Sequence, residues 1–305
     1  MKYINTFSKD KKVSQVVLGC MRIAQLSDYD ADRYVATALE SGYNCFDHAD
    51  IYGDGRCEEI FGGVLKRDKS LRDKIVLQTK CGIRNGLYDL SYEHIMRSVE
   101  NSLRRLSVEQ IDVLLLHRPD LLMEPDEVAK AFDELEKSGK VRAFGVSNQN
   151  PMQIQLLKKS ISQRLCINQL QLSITNASML SVGAGVNTSF DEAVNRDGSV
   201  RDYCRLNDIT VQPWSPLQYG FFEGTFLDNE KFSDLNWVLG EMAQKYSVSK
   251  TGVAIAWLLR LPERMQPVIG TTNLDRLKEI ATASQIELER EDWYKLYRVA
   301  GHILP

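Results

Sequence analysis

The sequence predicts an α/β fold, a (β/α)8 TIM barrel with a short N-terminal β-hairpin and a C-terminal extra helix. Two observations carry this prediction. Short β-branched and apolar runs alternate with longer amphipathic segments, the pattern of parallel strands joined by crossover helices. No stretch of the 305 residues resembles a linker. Because such barrels use ~250 residues as one unit, we expect residues 1–305 to form a single domain.

Eight short runs are the strand candidates, and each is too short to be a helix of ordinary length. They lie at 16–18, 44–46, 75–79, 113–116, 143–146, 166–169, 210–212 and 267–269. Between them, residues 92–106 place Ile95, Val99 and Leu103 on one face at helical spacing. Residues 126–138 follow the same pattern and are predicted to end at Gly139 as a C-cap.

Three segments do not fit the plain alternation. Residues 1–14 are polar with period-two apolar positions, which predicts a small hairpin before the barrel. Residues 289–299 predict one helix beyond the eighth unit. Residues 172–199 are rich in Ser, Asn and Gly and predict a long loop after the sixth strand. This loop either walls the substrate site or is a tolerated surface insertion.

The composition favours a small-molecule partner. A net charge of -3 gives no basic field for nucleic acid or an anionic membrane. No secretory signal or membrane-spanning run is present, which predicts a cytoplasmic protein, and we expect a monomer or a weak oligomer. The six cysteines lack a CxxC spacing, which argues against a disulfide framework and a zinc site. They are Cys20, Cys45, Cys57, Cys81, Cys166 and Cys204.

The polar residues that follow the predicted strands point to one site. Active sites of (β/α)8 barrels lie at the carboxyl ends of the strands. The residues there that can do chemistry or bind ligands are Asp47, His48, Asp50 and Tyr52 after the second strand, Lys80 after the third, His117 after the fourth, Ser147 and Asn148 after the fifth, Asn168 and Gln169 on the sixth, and Trp214 and Ser215 after the seventh. We therefore expect these side chains to meet at one mouth of the barrel.

Four of these residues form a possible acid/base set. A free tyrosine has a pKa of about 10, and an adjacent ammonium such as that of Lys80 should lower the pKa of Tyr52. A buried lysine in turn requires a carboxylate, and Asp47 on the neighbouring strand is placed to supply it. His117 can hydrogen-bond a substrate oxygen. The set can polarise a carbonyl group and protonate the resulting alkoxide.

Taken singly, these residues also have ordinary structural explanations. A tyrosine at a strand end can simply pack or cap, and a Lys80–Asp47 pair can be a structural salt bridge. The combination is far more specific. The segments DHADIYG, KCG, LLLHRPD, SGKVRAFGVSN, INQ and PWSPL occur in the order, and at the strand ends, found in aldo-keto reductases. The sequence resembles that family over essentially its whole length. The residues in its motifs are most similar to those of the bacterial oxidoreductases of the family.

The resemblance implies reduction of aldehydes or ketones by NADPH, with Tyr52 as general acid, Lys80 and Asp47 tuning it, and His117 orienting a small carbonyl substrate. It also implies contacts to NADPH/NADP+. Ser147, Asn148 and Gln169 would hold the nicotinamide carboxamide, the ring would stack on Trp214, where many relatives have tyrosine, and Ser215 and Leu217 would meet the pyrophosphate. In GTTNLDRLKEI, Thr271, Thr272 and Arg276 would bind the 2′-phosphate, and Glu279 would lie near the adenine.

Two positions in the segment that resembles the 2′-phosphate site depart from the family pattern. Gly270 stands where many relatives carry a lysine, and Ile280 where an asparagine is frequent. The preference for NADPH over NADH is therefore expected to be weaker than in those relatives. The tail after the last helix is also short, so substrate specificity does not transfer.

The sequence also bears on three alternative interpretations. Asp47, His48, Asp50 and His117 suggest a metal-dependent hydrolase, but their spacing is poor for a ligand set, and no metal is expected. A Rossmann fold is disfavoured because no GxGxxG follows an early strand. A regulatory subunit that senses NADPH with little turnover shares the same fold and stays open at this point.

Overall fold

The computed structural model describes residues 1–8, 11–184, 199–220, 223–262 and 264–302. Eight parallel strands form a closed barrel, and each pairs with its neighbour in chain order until the eighth returns to the first. They are β1 (Val17–Gly19), β2 (Cys45–Asp47), β3 (Val76–Cys81), β4 (Ile111–Leu116), β5 (Val141–Ser147), β6 (Leu165–Gln171), β7 (Thr210–Trp214) and β8 (Val268–Ile269). The predicted (β/α)8 barrel is confirmed, and every predicted strand overlaps an observed one.

Helices surround the barrel and connect its strands. They are α1 (Asp28–Glu40), α2 (Arg56–Arg67), α3 (Leu71–Lys74), α4 (Tyr92–Leu106), α5 (Pro125–Lys137), α6 (Pro151–Lys158), α7 (Ser178–Ala184), α8 (Ser199–Leu206), α9 (Ser233–Tyr246), α10 (Lys250–Leu259), α11 (Leu274–Ala283) and α12 (Arg290–Val299). The helix predicted at 92–106 has those bounds, and α12 is the predicted extra helix.

The sequence explains where two of these helices begin and end. The Ser91 side chain accepts a hydrogen bond from the His94 backbone, which caps the start of α4. Pro125 occupies the first turn of α5, where its missing N–H costs nothing. Just after α5, Gly139 has a φ of 72°, the left-handed geometry that glycine supplies at a helix C-terminus.

The N-terminal hairpin pairs Tyr3–Ile4 with Val13–Ser14 and closes the bottom of the barrel. Val13 packs there against Val17, Cys45 and Val76, which point inward. Burial of these side chains leaves the opposite mouth as the open end. Further apolar clusters fill the layer between the strands and the surrounding helices.

The segment 172–199 differs from the predicted loop. Helix α7 lies within it, and α8 begins at its last residue. Leu172, Ile174 and Leu180 are buried against α8, α9 and the strand β7, so this part is packed rather than exposed. Residues 185–198 lie outside the described residues. None of the helices in the described ranges has the length and apolar character needed to cross a bilayer.

Candidate active site

Tyr52, Lys80 and Asp47 meet inside the mouth of the barrel. The Lys80 ammonium donates to Asp47 Oδ2 at 2.7 Å, to the His48 carbonyl at 2.8 Å and to Tyr52 Oη at 3.1 Å. Lys80 is fully buried, so its charge depends on these three acceptors. The structure thus places a phenol within hydrogen-bond distance of a cation that a carboxylate compensates.

The pKa values of this set follow from burial and charge. Burial lowers the pKa of Lys80, but Asp47 and Tyr52 raise it by more, so Lys80 stays protonated. Burial also raises the pKa of Tyr52 above its usual range, and the charge of Lys80 pulls it back by a smaller amount. Lys80 lowers the pKa of Tyr52 as predicted, but the loss of hydration on burial is the larger effect, so the pKa of Tyr52 is raised overall. Tyr52 is thus held as a neutral phenol, the form that donates a proton.

His117 lies across the cavity from Tyr52, with the two ring centroids 6.1 Å apart and the planes nearly perpendicular. Burial, Lys80 and Arg118 all lower the pKa of His117, so the ring is neutral. Its Nδ1 is buried and makes no hydrogen bond to the described residues. A neutral imidazole can donate one hydrogen bond to a carbonyl oxygen without contributing a charge.

The loop that carries Tyr52 has an unusual backbone. Gly53, Asp54 and Gly55 follow Tyr52 with φ values of 58°, 54° and 89°, three consecutive left-handed residues that favour glycine at two of the positions. Such a turn needs support from outside. Arg105 of α4 supplies it, because its guanidinium donates to Glu58 Oε2 at 2.8 Å and to the Asp50 carbonyl at 3.3 Å.

Arg105 is placed by packing that only glycine allows. A Cβ at Gly55 would lie 2.8 Å from Arg105 Nη1, and a Cβ at Gly62 would lie 2.0 Å from the Arg105 carbonyl oxygen. On the other side, Glu58 is completely buried and accepts a 2.7 Å hydrogen bond from the Thr79 hydroxyl. The Tyr52 loop is therefore fastened to α4 and β3 by one arginine and one glutamate.

A row of buried glutamines lies beneath Asp47 in the barrel interior. Gln78 Nε2 donates to Asp47 Oδ1 at 2.7 Å, and Gln78 and Gln212 exchange hydrogen bonds of 2.7 and 3.0 Å. Gln212 in turn donates to Gln266 at 2.8 Å. These residues were missed in the sequence. The signal was present, since Gln78 and Gln212 precede Lys80 and Trp214 by two residues and share their inward face.

The residues predicted to hold the nicotinamide meet on β5, β6 and β7. Ser147 Oγ donates to the Gln169 carbonyl at 2.9 Å, and Asn148 Nδ2 donates to Ser147 Oγ at 2.8 Å. Trp214 Nε1 donates to Asn148 Oδ1 at 3.2 Å, which fixes the orientation of the indole. Gln169 Nε2 reaches Gln212 at 3.0 Å and Asp47 at 3.3 Å.

A cavity of about 880 Å³ connects Tyr52 with the start of α11. Its walls include every residue predicted to contact the cofactor except two: Ser147, Asn148, Gln169, Trp214, Ser215, Leu217, Thr271 and Arg276. Thr272 and Glu279 lie outside its lining, and Glu279 is exposed on α11. Arg276 is also exposed, one turn into a helix whose start is capped by the Asn273 side chain.

Two hairpins that were not predicted complete the rim. Ile83–Arg84 pairs with Leu87–Tyr88 after β3, and Gln218–Tyr219 pairs with Gly224–Thr225 after β7. Ile83, Tyr88 and Gln218 line the cavity. The described part of the 172–199 segment contributes no lining residue, so its suggested role as a wall finds no support there.

The metal-hydrolase alternative has no ligand set in the described ranges. No group of three or more His, Cys, Asp or Glu side chains is arranged there to hold a metal ion. His48 is fully buried, packs edge-on against Phe61, and burial lowers its pKa to about 3. His48 is therefore a neutral core histidine, and Asp47 is already bonded to Lys80.

The fold and this constellation together define a class of protein. A sequence model of the aldo/keto reductase family matches residues 15–300, and the chain belongs to that family. Two bacterial relatives are similar over nearly their whole length. A 6-dehydroglucose reductase of Agrobacterium fabrum is 36% identical over 305 residues, which cover 95% of each chain. Oxidoreductase YdhF of Escherichia coli is 33% identical over 306 residues, covering 96% of this chain and 95% of its own.

Solved structures share the fold. A thermostable aldo-keto reductase, Tm1743, crystallised with the inhibitor epalrestat, superimposes with a TM-score of 0.79 at 23% identity, over 98% of this chain and all of its own. An aldo/keto reductase of Klebsiella pneumoniae, in complex with NADP and acetate, gives 0.79 at 22% identity, over 100% of this chain and 98% of its own. At these identities the likeness establishes the barrel and no more.

Proposed function

We propose that this protein is an NADPH-dependent carbonyl reductase in which Tyr52 protonates the substrate oxygen. The observation that carries the proposal is the 3.1 Å hydrogen bond between Tyr52 and the buried Lys80 ammonium, itself paired with Asp47 at 2.7 Å. A structural tyrosine needs no such cation. A proton donor does, because the charge of Lys80 stabilises the phenolate that forms when the proton leaves.

The cavity fits a nicotinamide dinucleotide. Bound there, the cofactor would supply the hydride that the carbonyl carbon accepts. Trp214 would stack on the nicotinamide, and Ser147, Asn148 and Gln169, which also line the cavity, would offer polar groups to its carboxamide. Arg276 and Thr271 line the far end, near the start of α11, where backbone N–H groups attract a phosphate. The NADP complex of the Klebsiella protein supports this choice of cofactor.

Residues of this chain orient the carbonyl group and supply the proton. His117 and Tyr52 both hydrogen-bond the carbonyl oxygen and draw electron density onto it. As the carbon is reduced, the Tyr52 proton moves to the oxygen, and Lys80 holds the resulting phenolate until solvent restores its proton. Asp47 keeps Lys80 charged, and Gln78 keeps Asp47 oriented.

The experiment is single-turnover oxidation of NADPH by the purified protein with a panel of aldehydes and ketones, followed by steady-state rates. We expect at least one aldehyde to be reduced, with a kcat in the range of ordinary enzymes, about 1 to 1,000 per second. Tight NADPH binding with no oxidation by any member of the panel would contradict the proposal and favour the sensor hypothesis.

A further inference from the structure

The cavity wall next to His117 contains an arginine that has no hydrogen-bond or ion-pair partner among the described residues. Arg118 directly follows His117 at the end of β4, is half-buried and lines the cavity. Its Cζ lies 5.8 Å from the centroid of the Trp214 ring. Its guanidinium makes no hydrogen bond or ion pair with any residue that the structure describes. Five N–H donors are therefore left to water or to a ligand.

Four other half-buried arginines, Arg72, Arg105, Arg260 and Arg264, have protein acceptors. Arg72 donates to the Gln110 carbonyl at 2.8 Å, and Arg260 donates to the Leu288 carbonyl at 2.8 Å. Arg105 bonds Glu58, and Arg264 bonds Asp208. Arg118 departs from this pattern although it is also half-buried. A guanidinium that has lost part of its hydration normally gains an acceptor in return.

The described residues of the cavity wall offer Arg118 no free carboxylate. Two carboxylates, those of Asp47 and Asp228, lie among these residues. Asp47 is paired with Lys80 at 2.7 Å, and Asp228 is paired with Lys250 at 2.7 Å. The described residues of the cavity wall therefore leave the positive charge next to His117 uncompensated. A carboxylate carried by a ligand would compensate it.

Resting on the proposed function, we propose that Arg118 binds a carboxylate carried by the carbonyl substrate, so that the protein acts on short aliphatic oxoacids. The planar guanidinium matches a carboxylate through two parallel hydrogen bonds. A hydroxyl group would satisfy a donor and leave the charge uncompensated. The cofactor phosphates are expected at the opposite end of the cavity, near Thr271 and Arg276, which leaves Arg118 to the substrate.

In the proposed reaction the carboxylate is unchanged. The carbonyl carbon gains the hydride from NADPH, the carbonyl oxygen gains the proton of Tyr52, and the products are a hydroxyacid and NADP+. The carboxylate held by Arg118 fixes the distance of the carbonyl from His117 and Tyr52. Binding energy from a group remote from the reacting carbon is thus used for orientation.

The test compares succinic semialdehyde with its uncharged N,N-dimethylamide and with butanal, using NADPH. This tertiary amide has no N–H with which to cyclise onto its own aldehyde, so the ratio of kcat/KM for acid and amide reports mainly on the charge. Because hydrogen bonds to charged groups contribute about 1.5 to 3 kcal/mol, we expect the acid to be preferred about 10- to 100-fold. The preference should decrease as salt is added.

Two matched variants locate the effect. Arg118→Gln should reduce the acid-to-amide ratio to within about threefold of one. Any effect of the Arg118 charge on the His117 pKa acts on both substrates and cancels in the ratio. Arg22→Gln is the control, because Arg22 lines the same cavity but is exposed to solvent. This variant should keep the ratio of the original protein.

The outcomes separate the two proposals. Equal kcat/KM for acid and amide would overturn the role of Arg118 while leaving carbonyl reduction intact. A ratio that Arg118→Gln leaves in place, accompanied by a higher KM for NADPH, would place Arg118 on the cofactor and also overturn it. Failure of all three aldehydes, together with a wider panel, would overturn the proposed function itself.

Discussion

The two ends of the cavity are built differently. At the end where we propose that the carbonyl is reduced (the reducing end), Lys80 and Asp47 are buried and Lys80 has three protein acceptors. At the end near α11, where we propose that the 2′-phosphate binds (the phosphate end), Arg276 is exposed and has no ion pair among the described residues. The contacts of Lys80 are thus made within the protein, whereas those proposed for Arg276 would be made to the ligand. Substitutions should therefore change rate at one end and affinity at the other.

Lys80→Met should have the largest effect at the reducing end. Without the cation, the Tyr52 phenolate is not stabilised and Asp47 is left as an uncompensated buried charge, so kcat should decrease about 1,000-fold. Steady-state kinetics with an active aldehyde would measure it. Lys74→Met, at an exposed position outside the site, is the control. A Lys80→Met protein that folds and keeps more than a tenth of its kcat would contradict the comparison.

Arg105→Met tests whether the rigidity of the reducing end extends to the loop that carries Tyr52. Removing this cation leaves the buried Glu58 carboxylate without a compensating charge, with only the Thr79 hydroxyl as a partner, which should lower the free energy of unfolding by about 3 kcal/mol. Looser placement of Tyr52 should also reduce kcat about 10-fold, with little change in the KM for NADPH. Urea unfolding and steady-state kinetics give both values.

The neighbouring Arg104 provides a control for Arg105. Arg104 is exposed on α4 and its side chain bonds only Asn101 among the described residues, so Arg104→Met should change neither stability nor kcat appreciably. Loss of stability in Arg105→Met without any loss of kcat would show that the contacts of Arg105 with Glu58 and Asp50 support the fold but do not position Tyr52.

Arg276→Ala tests the phosphate end. We expect the KM for NADPH to rise about 10-fold while the KM for NADH and both kcat values change little, since one exposed charge-assisted contact is lost. Lys278→Ala, exposed on the same helix, is the control. Equal effects on NADPH and NADH would remove Arg276 from the 2′-phosphate site.

The smallest expected effect concerns Asp50, beside the Tyr52 loop. Burial raises the pKa of Asp50 from 3.8 to about 6, so the folded protein holds a proton that the unfolded chain releases in this interval. The contribution of Asp50 to stability is therefore present at low pH and is lost as the pH rises from about 4 to 6. Asp50→Asn should unfold at a higher temperature than the original protein near pH 7, and the difference should shrink toward pH 4. A constant difference would show that Asp50 does not titrate there.

The comparison also explains which features the sequence could predict. Barrel strands and the meeting of Asp47, Lys80 and Tyr52 follow from periodicity and from the rule that strand ends share one mouth. The contacts of Arg105 with Glu58 and Asp50 depend on which face of α4 meets the Tyr52 loop. Packing of this kind between a helix and a loop leaves no local pattern in the sequence. The net direction of the Tyr52 pKa depends on how much hydration is lost, which spacing does not reveal.

Features of the rim were harder to predict for a related reason. The hairpins after β3 and β7 have strands of only two residues each, too short for alternation to be recognised. Helix α7 lies in a segment whose Ser, Asn and Gly content is typical of loops, and tertiary packing of Leu180 and Ile174 outweighs that propensity. The interior of the barrel was thus more predictable than its rim.

The most direct test of the central claim removes one oxygen atom. In single-turnover experiments with NADPH bound and an active aldehyde added, Tyr52→Phe should keep its affinity for NADPH and slow the reduction by at least about 100-fold. Tyr29→Phe, at an exposed tyrosine of α1, should react like the original protein. A Tyr52→Phe protein that reduces the aldehyde at an undiminished rate would contradict the assignment of Tyr52 as the proton donor.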